Sequence, residues 1–150
     1  MVETALIQGV HMGPPCSTCS HARHNPPFFP SQIRSKAFPL GLPRKELSQA
    51  KDMEAKNANY LYVQCFRMGV LCQRRNIPFA IEFPSQLSED HVTLADFPQG
   101  TALLSLEGVR LVKLYQCRFG ATTTKPTTLL CLGKGWDALA LECNHPWVRT

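Results

Sequence analysis

The chain has 150 residues, 44% of them hydrophobic and 18% charged, the composition of one globular domain with a core of its own rather than of a disordered segment. No apolar run reaches the roughly 18 residues of a membrane span, and acidic Glu3 stands where a secretory leader carries basic residues, so an intracellular protein is expected. The formal net charge of +5 favours an anionic partner without requiring one, and seven scattered cysteines, an odd number, read as reduced thiols rather than disulfides.

Residues 4–12 are mostly apolar and stop at Gly13-Pro14-Pro15, which suits a short buried strand ended by prolines. Cys16 follows directly, in Cys16-Ser17-Thr18-Cys19-Ser20. From about 17 to 45 the chain is a loop, because Pro26, Pro27, Pro30, Pro39 and Pro43 forbid a long helix. Small basic clusters, Arg34 with Lys36, Arg44 with Lys45 and Arg74 with Arg75, read first as solvated surface charge.

Leu47, Ala50, Met53, Ala58, Leu61, Cys65, Met68 and Cys72 recur mostly three or four apart, so residues 46–75 read as an amphipathic helix with this set facing the core. Ile77-Pro78-Phe79-Ala80-Ile81 then forms a short buried strand ending at Glu82. Strand, loop, helix, strand is the order of a βαβ unit, which makes the two strands parallel. A helix is expected near 87–94 and an apolar turn at 103–106. Residues 109–117 alternate like a strand, and 127–132 are β-rich between Pro126 and Gly133, so a polar connection at 118–126 closes a hairpin. The expected fold is α/β and Rossmann-like: a mostly parallel sheet with helices on both faces, ending in an antiparallel hairpin.

A thiol and a carboxylate, each at the carboxyl end of a strand in one open sheet, converge on the crevice outside the strand ends. With that placement the chain resembles the DNA cytosine-5 methyltransferases over most of its length. Gly13-Pro14-Pro15-Cys16-Ser17-Thr18-Cys19-Ser20 is similar to the family's Pro-Cys-Gln-x-Phe-Ser block, keeping Pro, Cys and the final Ser. Glu82-Phe83-Pro84 is similar to Glu-Asn-Val, of which the acid remains, and residues 119–127 are similar to a Gly-x-Pro-Gln-x-Arg-x-Arg hairpin, with Lys125 in place of the first arginine and Thr127 of the second. The family's cofactor-binding Phe-x-Gly-x-Gly start, which would lie upstream of Met1, and its target-recognition region, which would follow the hairpin, are both lacking from these 150 residues.

The resemblance implies a single partial methyltransferase-like domain over residues 1–150, with Cys16, Glu82 and Lys125 catalytic. Cys16 as thiolate adds to carbon 6 of a flipped cytosine, Glu82 bonds ring nitrogen 3, and carbon 5 becomes nucleophilic toward the methyl group of S-adenosylmethionine. Lys125 lowers the thiol pKa by its nearby charge. Arg23, Arg34 and Lys36 hold phosphates of a nucleic acid. The isolated chain is expected to be inactive unless a second chain completes the cofactor site.

Two readings from other classes stand beside this one. The first is a zinc module, since Cys16-x-x-Cys19-x-His21-x-x-His24 offers four donors in nine residues and Cys143-x-His145 two more. The other is a non-catalytic remnant that binds nucleic acid or a partner chain.

Overall fold

The structure is a computed structural model that describes residues 7–20 and 32–145. Its elements in chain order are β1 (Val10–Met12), α1 (Gln49–Arg74), β2 (Phe79–Pro84), α2 (Pro98–Leu104), β3 (Arg110–Tyr115) and β4 (Pro126–Leu132), with short 3-10 turns between them. The Ser48 side chain caps α1 by accepting from the Lys51 N–H. At its other end Asn76 takes a left-handed φ of 53°, and the N–H groups of Asn76 and Ile77 close on the carbonyls of Gln73 and Cys72. That is a Schellman stop, and Pro78 then prevents the helix from resuming.

The four strands form one sheet in the order β1-β2-β4-β3. Only the β1–β2 pair is parallel; β4 runs antiparallel to both β2 and β3. The expectation of a mostly parallel set of pairings is therefore corrected, and the cause is the place that β4 takes. By returning between β2 and β3, it leaves β1, β2 and β3 pointing one way with itself the sole reversed strand. The carboxyl ends of those three strands and the amino end of β4 consequently share one edge of the sheet.

Helices also do not cover both faces as expected. α1 and α2 both pack on the face formed by Phe79, Ile81, Phe83, Leu130 and Leu132. The opposite face, Ala80, Val112, Leu114, Leu129 and Cys131, is covered by a 3-10 turn at Trp136–Leu139. Arg110 holds that turn through Asp137 and the Gly133 carbonyl, and the Trp136 indole N–H donates to the Leu132 carbonyl at 2.9 Å.

α1 forms within two or three residues of its expected bounds but in a different rotational phase. Ala55, Ala58, Tyr62, Phe66, Gly69 and Cys72 are buried, whereas Met53, Leu61 and Met68 are exposed. Aromatic size decides it: Tyr62 and Phe66 close on Phe97, the first edge-on at 5.4 Å between centroids. Such contacts add about 1 kcal/mol to the area they bury. The helix expected at 87–94 lies instead at Pro98–Leu104, where Pro98 opens it.

Candidate functional site: a cleft at the strand ends

Past Met12, residues 13–15 carry the chain to Cys16, which begins a 3-10 turn at Ser17–Cys19. Several buried groups hold that turn. The Tyr62 hydroxyl donates to the Pro15 carbonyl, and Thr18 Oγ1 bridges Tyr62 and the Arg34 guanidinium at 3.0 Å each. His91, 1% exposed, accepts from the Leu87 N–H at Nδ1 and therefore carries its proton on Nε2, which donates to the Cys19 carbonyl at 2.7 Å. The half-buried Cys16 thiol is thus presented by a turn braced from α1, the 33–43 loop and the segment before α2.

Glu82 lies on β2, half-buried, on the face away from α1. Its carboxylate accepts from the Gln116 side-chain amide at 3.1 Å, and His11 Nε2 lies 3.6 Å from its other oxygen. Gln116 also donates to Thr127 Oγ1 at 3.2 Å, so one amide ties the exit of β3 to both β2 and β4.

Gly13 to Cys16, Glu82 to Pro84, Lys125 and Thr127 line one cleft of about 290 Å³. The three residues expected to be catalytic, Cys16, Glu82 and Lys125, therefore border a single space at the shared strand-end edge. On its far side Glu82 also borders a second cleft of about 350 Å³, walled by Leu114, Leu129, Phe119 and Trp136. A thiol, a carboxylate and an ammonium around one opening supply a nucleophile, a proton-sharing group and a positive charge.

The phosphate-binding expectations fare differently. Arg34 is 3% exposed, and its guanidinium donates to Asn59 Oδ1, the Pro39 carbonyl and Thr18 while lying over the rings of Tyr62 and Phe97. It braces the fold and is not placed to bind phosphate on the surface, a correction. Lys36 pairs with Asp96 at 2.7 Å, fastening the 33–43 loop to the turn before α2. Arg23 lies outside the described residues, as do His21 and His24 of the zinc-like motif. Cys19 of that motif is buried in the main core, where burial pushes its thiol above the ordinary value. Tyr62, His91 and Gln116 carry no motif and were missed in the sequence; they act on the site through backbone and side-chain bonds alone.

Compared with known proteins, the chain matches no family model, no curated protein and no solved structure. No helix among the described residues is long and apolar enough to cross a membrane.

Proposed function

We propose that the strand-end cleft is a divergent base-binding site of the cytosine-5 methyltransferase type, with Cys16 as nucleophile, Glu82 as the group that bonds ring nitrogen 3 and Lys125 as the neighbouring cation. The observation that carries this reading is the meeting of Cys16, Glu82 and Lys125 in one cleft, from three segments spread over more than a hundred residues. The shared direction of β1, β2 and β3, closed by the β3–β4 hairpin, is in keeping with a Rossmann-like sheet of the kind the resemblance implies.

S-adenosylmethionine does not fit the residues described. Gly13 follows β1 but leads into Pro14-Pro15, and Gly133 follows β4 against Pro78, so neither opens a helix able to receive a cofactor at its amino end. Methyl transfer is the ancestral chemistry, and a second chain would have to bring the cofactor. What these residues do alone is reversible addition. The Cys16 thiolate forms a bond to carbon 6, the displaced electron pair reaches carbon 5 while Glu82 shares a proton with nitrogen 3, and carbon 5 takes a proton from solvent. Loss of the original carbon 5 proton and expulsion of the thiolate then regenerate cytosine.

The test is hydrogen exchange at carbon 5 of cytosine in a single-stranded oligonucleotide incubated with the protein in deuterium oxide. Exchange that disappears in Cys16→Ser and falls in Glu82→Gln supports the assignment. Salt-sensitive binding without exchange makes the chain a non-catalytic nucleic-acid-binding remnant, and absence of both removes the reading.

A further inference from the structure

Away from the cleft, three metal-ligating side chains meet. Cys117 lies in the 3-10 turn at Gln116–Phe119, and Cys143 and His145 lie in the segment that follows the Trp136–Leu139 turn. Their ligand atoms all lie within 4.8 Å of one another, and Cys143 Sγ is 3.3 Å from His145 Nδ1. All three are half-buried, so a cation entering among them sheds only part of its water.

We propose that Cys117, Cys143 and His145 form a zinc site that fastens the segment after the sheet to the turn leaving β3. Tetrahedral zinc, with bonds of about 2.3 Å to sulfur and 2.0–2.1 Å to nitrogen, sets neighbouring ligand atoms roughly 3.5–3.8 Å apart. The Cys143–His145 separation is already near that value, and the widest pair needs to close by no more than about 1 Å. Two thiolates and an imidazole select zinc over calcium or magnesium, which prefer oxygen donors. Cys143-x-His145 supplies two donors from one short segment, and the fold brings the third from 26 positions earlier (117 to 143). Water completes the fourth position.

The site bears on the cleft through one residue. Cys117 adjoins Gln116, whose amide holds Glu82, so a metal there stiffens the turn that sets the carboxylate. Its metal-binding test stands independently of any reaction in the cleft.

The full chain, reduced and freed of metal, is titrated with cobalt(II) and then with zinc, with bound metal measured by elemental analysis. One equivalent of cobalt, with the sulfur-to-cobalt and tetrahedral visible bands displaced by zinc, is the expected result. Cys117→Ser and Cys143→Ser should each remove about half of the sulfur band, His145→Gln should weaken affinity at least about tenfold, and the Cys16→Ser/Cys19→Ser double variant should change neither. Should a ligand variant lose its circular dichroism, alkylation of the unmutated chain decides instead, with zinc protecting Cys117 and Cys143 and leaving Cys16 labelled. Substoichiometric metal, a sulfur band that persists without Cys117 and Cys143, failure of zinc to protect both thiols, or their pairing as a disulfide in the reduced preparation overturns the site.

Discussion

Gln116 donates its side-chain amide to Glu82 at 3.1 Å, so a residue at the exit of β3 sets the angle of a carboxylate on β2, two strands away in the sheet. Gln116→Ala should therefore slow carbon 5 exchange about tenfold, a loss of about 1.4 kcal/mol, without changing stability much. Gln116→Glu is the more telling variant. A second carboxylate against Glu82 raises the pKa of the pair, so the pH dependence of exchange should move upward. An unmoved profile would show that Gln116 does not orient the working group.

Thiol reactivity should follow burial. Cys19, Cys72 and Cys131 are buried and Cys65 is half-buried, and desolvation pushes the thiols of all four above the ordinary value. Cys16 lines an open cleft and should be alkylated before any of them, which peptide mapping by mass spectrometry can read. First labelling at Cys65 or Cys72 would mean that α1 does not pack as described.

The same burial makes the fold sensitive to alkali. The folded-state pKa values of Cys19, Cys131 and Tyr62 are raised, first by desolvation. Well below the ordinary thiol value of about 8.5 these three groups are protonated in both states, and the stability due to their burial is complete. Above it the unfolded chain releases protons that the folded chain retains, so stability falls with rising pH, by up to about 1.4 kcal/mol per pH unit for each group titrating. Urea midpoints measured from neutral pH upward should decline past that value, and Cys131→Ala should make the decline shallower.

Gly100 marks a close approach within the layer that covers the sheet. A Cβ there would run into the Leu94 carbonyl oxygen, a backbone atom that cannot turn aside. Gly100→Ala should cost about 3 kcal/mol or more, whereas Gly120→Ala, with open space around it but a φ of +94°, should cost only about 1 kcal/mol from backbone strain. Equal denaturation midpoints for the two variants would contradict the packing of α2 against the Leu94–Asp96 turn.

The cleft was legible in the sequence because strand ends carry position as well as identity. Pro14-Pro15 stops one strand beside a thiol, and the run into Glu82 places a carboxylate in the neighbouring strand, so the two converge whatever the third neighbour is. The place of β4 was not legible, since alternation and length specify a strand but not the edge it joins. Helix phase failed for a related reason: Leu61 and Met68 are as apolar as the buried positions, and only the bulk of Tyr62 and Phe66 against Phe97 chooses between stripes. Arg34 misled most, because a basic residue among prolines reads as surface charge until Thr18, Asn59 and the two aromatic rings are seen to enclose it.

That enclosure separates two arginine or lysine substitutions that a charge count treats alike. If the cleft takes nucleic acid, Lys125, exposed at its border, contributes through a phosphate, and Lys125→Ala should lower affinity and reduce the salt slope by about 1 while leaving the denaturation midpoint in place. Arg34→Ala should act through the fold: it strands the acceptors of Thr18, Asn59 and the Pro39 carbonyl and removes the cation from two ring faces. A loss of about 3 kcal/mol of stability follows. At temperatures where the Arg34→Ala chain remains folded, its salt slope should equal that of the unaltered protein. Fluorescence anisotropy with one labelled oligonucleotide over a range of salt, beside urea denaturation of the same samples, reads both quantities. A reduced slope in Arg34→Ala at full fold would return that guanidinium to the binding surface, and an unchanged slope in Lys125→Ala would take the hairpin out of it.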